Sequence, residues 1–322
     1  MEKRYYTGRR NYKVEIMKFI NALPGPVAQG LIWGIMAIGV YITYKVLDLA
    51  DLTVDGTMAT GGAVCIVMMQ SGHSVGVSLF VAFLAGMAAG LVTGLFHTAM
   101  GIPAILAGIL TQLGLYSVNL RIMGEKANVA LAFGKYDQIV SLRWVRDVPF
   151  YQNTIFVSAL FVIVLIAVLY WFFGTDLGCA IRATGNNENM SRAQGINTNT
   201  SKLVGLMLSN GIVALSSALY AQYQGFADVN AGRGAIVIGL AAVIIGNVLF
   251  GKISRNFAFK LVSVVLGAII YWVVYQIVIT AGLNANDMKL ISALVVAVFL
   301  AVPYLKGKYF SKPVKRGGAS NA

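Results

Sequence analysis

The residue types that do chemistry are sparse in this chain and are not arranged for catalysis. His73 and His97 are the two histidines among 322 residues, and neither has a carboxylate pattern around it. There is no His-Glu metal motif, no serine–histidine pairing at helical spacing and no G-x-x-x-x-G-K phosphate loop. Two cysteines, Cys65 and Cys179, make neither a disulfide framework nor a zinc site. The polar residues with readable spacing are of another kind. Asp51, Thr53 and Asp55 precede a glycine-rich apolar run, where a short side chain either caps the free N–H groups of a helix or meets a solute. Gln112 and Asn119 lie seven apart, on one helix face, and Ser209 and Asn210 adjoin within another apolar run. Buried amides and hydroxyls of this sort serve helix association or line a watered route. Neither role is catalytic, so the expectation is no enzyme, no metal and no cofactor.

The elements that must hold these residues are membrane spans. The chain is 58% hydrophobic and 11% charged, which excludes a soluble surface. A span needs ~20 mostly apolar residues. Eight segments qualify: Val27–Leu47, Val75–Phe96, Ile102–Leu120, Ile155–Phe173, Leu203–Tyr223, Ala235–Phe250, Phe257–Thr280 and Met288–Tyr304. The first is too long for a signal-peptide core and has no small-residue cleavage site, so it is expected to be retained. A ninth stretch, Gly56–Ser71, is short, with three glycines near its start.

Charge sets the expected sidedness. The net charge is +13, and the basic residues gather in the tails 1–26 and 305–322 and in short loops. The positive-inside rule puts both tails in the cytoplasm, and the crossings between them put the loop 174–202 there too. No basic face with interleaved aromatics supports nucleic-acid binding. With both tails inside, the crossings are even, and Gly56–Ser71 becomes a re-entrant or broken helix. The fold class is then all-α integral membrane, with about eight transmembrane helices plus that element, around a cavity. A faint echo, Ala50-Asp51 and Ala227-Asp228 each before a glycine-rich run, suggests an inverted repeat. Lys45, Asp48, Lys260 and Lys289 lie at span ends, and no ionisable residue falls mid-span. That counts against the alternative of an ion-coupled secondary transporter acting alone. It also counts against a solute of large net charge.

One cytoplasmic passage, RATGNNENMSRAQGINTNTSK (residues 182–202), has no hydrophobic run. Glu188–Gln194 can form about two helical turns with Met190 and Ala193 on one face, bracketed by Gly185 and Gly195. Such a piece is either a solvated connector or a small knob that docks in a partner's groove. The passage resembles the cytoplasmic loop of the permease subunits of ABC importers, in the branched-chain-amino-acid and sugar class. The matching residues are Arg182-Ala183-x-Gly185-x-Asn187 and Ala193-x-Gly195-Ile196, and the likeness runs from about Val27 to Pro303. Leu49–Val64 and His97–Gly124 are similar to a branch of amino-acid permeases that includes tryptophan and tyrosine importers. Thr98-Ala99-Met100 departs from it by replacing the basic residues usual there. The resemblance implies that residues 27–304 are a permease domain. It implies that Arg182, Ala183, Gly185, Asn187, Glu188, Met190, Ala193, Gly195 and Ile196 couple to cytoplasmic ATPase subunits, which bind the ATP. The other implied partners are an extracellular or periplasmic binding protein, a second permease copy or homologue, and membrane lipid. The implied location is the bacterial cytoplasmic membrane. The implied solute is small and zwitterionic or uncharged, in first place an amino acid.

Overall fold

The computed structural model describes residues 23–132, 134–145, 149, 152–251 and 256–280, and beyond them residues 290, 293, 294, 296–298 and 301. The expected span Met288–Tyr304 falls largely outside the described residues. The tails before residue 23 and after 304 fall wholly outside them. The described chain is helical apart from one two-stranded sheet. Helix α1 (Pro24–Tyr41) runs into a π-helical turn at Ile42–Val46. It is followed by α2 (Thr53–Gln70), α3 (Val75–Thr98), α4 (Ala104–Ile122) and strand β1 (Asn128–Ala130). Next come α5 (Thr154–Phe172), the short helices α6 (Asp176–Asn186) and α7 (Glu188–Ala193), and the long α8 (Thr198–Gln224). Strand β2 (Phe226–Asp228), α9 (Ala235–Phe250) and α10 (Phe257–Thr280) complete the order.

Local sequence explains where these helices begin and end. Prolines open α1, where a missing N–H costs nothing. The side-chain oxygens of Asn153, Thr175, Asn187 and Asn197 accept first-turn N–H bonds of α5, α6, α7 and α8. Gly225, at φ +80°, ends α8 in the left-handed conformation. Six helices among the described residues are long and apolar enough to cross a membrane, and α9 is a shorter apolar one. The protein is an all-α integral membrane protein.

Helices α1 and α8 form its centre. Three hydrogen bonds bind them at seven-residue intervals: Ser209 Oγ to Gly39 O at 2.7 Å, Ser216 Oγ to Ile32 O at 2.7 Å, and Tyr223 OH to Gly25 O at 3.4 Å. As one number rises the other falls, so the helices are antiparallel. Each such bond is worth about 0.6 kcal/mol on average inside a bilayer. The rungs also decide sidedness. The Pro24 end of α1 lies beside the end of α8, on the face opposite α6 and α7. The expectation that residues up to 26 share a face with the loop 174–202 is therefore overturned for Leu23–Pro26. Basic-residue counts weigh loops, whereas here the interhelical bonds fix the direction.

Helix α2 runs parallel to α8. Thr57 meets Asn210, Ser217 Oγ donates to Met58 O and accepts from Gly62 N, and Gln222 reaches Cys65. Asn210 is the thirteenth of 27 residues in α8, so α2 starts at mid-depth. Residues 48–52, which are not helical, climb there from the inner end of α1, whose Leu47 packs on Gly205. The crossing at Gly56–Ser71 is thus broken rather than re-entrant, because α2 leaves by the face opposite α6 and α7. Helix α9 mirrors it. It starts at the depth of Asp55 and descends past Val40 and Met36 of α1.

The expected inverted repeat follows from these directions. Helices α1, α2 and α3 run down, up and down, and α8, α9 and α10 run up, down and up. The halves are interlocked, since α8 packs on α2 and α3 while α1 packs on α9 and α10. The faint echo has a matching local geometry. Asp51 Oδ1 accepts from Thr53 N at 2.9 Å, and Asp228 Oδ1 accepts from Asn230 N at 2.6 Å. Both are turns closed by an aspartate two residues before the N–H.

Glycines set how closely α3 and α8 approach. A Cβ on Gly86 or Gly90 would overlap the carbonyls of Asn210 or Leu206, and one on Gly94 would strike Leu203. Gly90→Ala is expected to destabilise the purified protein by ~1–3 kcal/mol, the usual cost of overpacking. Gly76→Ala, whose Cβ meets nothing within 4 Å, should leave the melting temperature in detergent unchanged.

Candidate functional site

Two polar constellations lie between the helices. The first is buried around Asp51, which is 3% exposed. Its Oδ1 caps α2 through Thr53 N, and its Oδ2 accepts from Asn210 Nδ2 at 2.7 Å. Asn210 Oδ1 accepts from Thr57 Oγ1 at 2.7 Å, and its Nδ2 also donates to Leu206 O at 3.0 Å. A hydroxyl chain continues from Thr53 to Thr93 at 2.7 Å and on to Thr111 at 2.9 Å. Four helices, α2, α8, α3 and α4, are tied by it. Asp51, Thr53 and Asn210 therefore have protein partners, and Ser209 belongs to the α1–α8 ladder. Of the two readings open for these residues, the structure realises capping and helix association. An ionisable group does lie at mid-depth, contrary to expectation, because residues 48–52 rise into the interior instead of remaining at the surface.

The second constellation surrounds a cavity of about 310 Å³ between α2, α4 and the segment before α9. Asp55, Gln112 and Asn119, three of the seven expected path residues, line it. Asp55 does not cap its own helix. Its carboxylate accepts from Gly234 N and Ile236 N, each at 2.9 Å, and so holds the first turn of α9. Asn119 is fully buried. Its Nδ2 donates to Gly56 O at 3.4 Å, while its Oδ1 accepts no hydrogen bond among the described residues. Two lining residues escaped the sequence reading, Tyr116 and Arg233. Tyr116 had a signal, since it falls between Gln112 and Asn119 on the same helical face. Arg233 had none, because its loop meets Asp55 only across 179 residues of chain.

The loop 174–202 forms a small helical platform on the opposite face. Asn187 Oδ1 accepts from Met190 N at 3.0 Å, and Gly195, at φ +83°, ends the turn. Met190 is 46% exposed and Ala193 is exposed beside it. Gly185 is not a start signal. It lies inside α6, where a Cβ would overlap Val46 O. Arg182 is exposed, with its guanidinium 5.8 Å from the Phe257 ring and Nη1 3.5 Å from Phe173 O. Ala183 and Ile196 are half-buried. Glu188 fastens α7 to α8 through Lys202 at 2.7 Å, and it also pairs with Arg192 at 2.8 Å. The Lys202 hydrogen bond, with both cations adding, holds the Glu188 carboxyl below the usual glutamate range.

The described residues thus hold two half-depth helices, a polar cavity and, on the opposite face, an exposed helical knob. Residues 26–303 match the family model described as the permease component of branched-chain amino acid transport systems, and the chain belongs to that family. It is accordingly a permease component of an ABC-type transport system. It is 39% identical over 275 residues to a tyrosine transport system permease protein of Clostridioides difficile (strain R20291), covering 85% of this chain and 89% of that one. It is 28% identical over 283 residues to the fructose import permease protein FruF of Bifidobacterium longum (strain NCC 2705), covering 84% and 74%. The fold is shared with PsaBC from Streptococcus pneumoniae in complex with Fab, at a TM-score of 0.52 and 15% identity, over 91% of this chain and 99% of that one.

Two outcomes are expected. Asn210→Leu leaves Asp51 Oδ2 without its Asn210 donor, at about 1–3 kcal/mol for the orphaned group, whereas Thr57 Oγ1 keeps its bond to Thr53 O. The melting temperature in detergent should fall accordingly, and fall less for Ser209→Ala. The Glu188 pKa is depressed on folding, so its contribution is present at neutral pH and is lost as pH falls through the depressed value. Hydrogen-exchange protection factors of residues 187–198, taken relative to the intrinsic rate at each pH, should therefore fall at acidic pH, and Glu188→Gln should show the lowered protection already at pH 7.

Proposed function

We propose that the chain is the membrane subunit of an ATP-driven importer for a small zwitterionic amino acid. Two copies, or this chain and a homologue, form the pore in the bacterial cytoplasmic membrane. An extracellular or periplasmic binding protein delivers the solute to the cavity face. Cytoplasmic ATPase subunits grip the α6–α7 platform and bind the ATP, so this chain needs no cofactor of its own. The observation that carries this reading is the Met190 knob. It is exposed on a helix capped by Asn187, and Glu188 fastens that helix to the start of α8. A push on the knob is thereby delivered to the helix that also holds Asp51 and the α1 ladder.

The tyrosine permease relative supports an amino acid over a sugar, and so does a cavity with one cation and one anion. With the platform in the cytoplasm, Pro24 and Thr280 lie at the outer face. One further crossing by Met288–Tyr304 would return the basic C-terminal tail to the cytoplasm.

Native cysteines test the orientation. Cys179 is exposed on the platform side and Cys65 is buried. An impermeant maleimide should label Cys179 in inside-out vesicles and not in intact cells. Ser71→Cys, at an exposed position on the other face, should label in intact cells. Labelling of Cys179 from the cell exterior would reverse the scheme. Met190→Asp with Ala193→Glu should reduce co-purification of the ATPase at least tenfold while leaving the yield of folded permease unchanged.

A further inference from the structure

We infer that the cavity beside Asp55 is a solute subsite that reads both charged groups of an α-amino acid, with Arg233 taking the carboxylate and the Asp55–Asn119 side taking the ammonium. This rests on the importer reading and names the residues that would select its substrate class. The volume, about 310 Å³, is at the lower end for small-molecule sites. Its lining carries one guanidinium and one carboxylate, which together balance a zwitterion and disfavour a solute with a single charge.

Arg233 is free for this role. It is exposed in the cavity wall and makes no ion pair among the described residues. A guanidinium presents two parallel N–H donors that match a carboxylate. Its backbone is also fixed against Asp55. Gly232 lies against the Asp55 carbonyl so closely that a Cβ would overlap it. Gly234, at φ +84°, donates to Asp55 Oδ2. Arg233 sits between these two clamps, so its backbone is held beside the Asp55 carboxylate before any solute arrives. That order lowers the entropy lost on binding.

The ammonium side has a separate indication. Asn119 Oδ1 is buried and unpaired, and the Gly56 carbonyl that holds Nδ2 sets the amide's orientation. A buried acceptor without a donor is rare in a native protein. Each Asp55 oxygen takes one backbone N–H, which leaves room for a further donor on either oxygen. A primary ammonium, with three N–H groups, can serve both. The aromatic ring of Tyr116 and the side chains of Leu113 and Val229 supply wall for the solute's side chain.

The test uses the complete importer, this permease with its ATPase and binding protein, in proteoliposomes. The probes are a ¹⁴C-labelled mixture of the common amino acids and ¹⁴C-fructose. Arg233→Gln should lower the maximal uptake of the amino-acid label at least tenfold. The binding-protein concentration for half-maximal rate should not change, and Arg233→Lys should recover part of the rate. Uptake by Arg233→Gln within twofold of wild type overturns the subsite. So does a raised half-saturation with unchanged maximal rate, which makes Arg233 a docking contact for the binding protein. Import of fructose and no amino acid by the unmodified complex overturns the substrate class first and the subsite with it.

Discussion

A polar group inside a bilayer must find its partner in the protein, and in this molecule that requirement concentrates at Asp51 and Asn210. The carboxylate lies at mid-depth with no water to solvate it. It is tolerable there because Thr53 N and Asn210 Nδ2 complete it, and because Asn210 is itself completed by Thr57 and Leu206 O. The same bonds let α2 begin in the middle of the membrane, where its first N–H groups would otherwise be unpaired. Removing one partner leaves another exposed to hydrocarbon, so the residues behave as a unit. Around that unit the glycines of α3 let α8 approach to backbone contact.

The second half-helix meets the same problem with a different residue. Helix α9 also begins at depth, yet its N-terminal donors are served by Asp55, which belongs to the other repeat. This exchange joins the halves where the cavity lies. The start of α9, the face of α4 and the first turn of α2 meet there. On the opposite face, α7 is bound to α8 by Glu188 and Lys202. Helix α8 therefore connects the platform, the buried Asp51 unit and the α1 ladder in a single rigid element. That continuity gives a physical route from the platform on one face to the buried Asp51 unit at mid-depth.

Much of the site was legible only in part. The i, i+7 relation of Gln112 and Asn119 marked the face of α4 that lines the cavity, and Asp55, also singled out, lines it too. What Asp55 binds could not be read, since local capping of α2 and distant capping of α9 have the same sequence signature. Ser209 and Asn210 looked alike as adjacent polar residues in a span. They face different helices, Gly39 of α1 for one and Asp51 for the other. Gly185 looked like punctuation and proved to be a packing contact, while Asn187 supplied the cap.

The sequence by itself determined the class, the positions of the spans and the helix starts, because hydropathy over twenty residues and capping chemistry are local properties. It also revealed the knob of Met190 and Ala193, whose two-turn helix depends on its own neighbours. Only the tertiary structure decided the direction of α1, the depth of Asp51 and the meeting of Asp55 with Arg233. Each of those depends on which helix faces which across more than a hundred residues. In a chain whose surfaces are nearly all apolar, hydrophobic pattern does not choose among such pairings. Glycine contacts and a few buried hydrogen bonds choose them, and these exist only once the helices are packed.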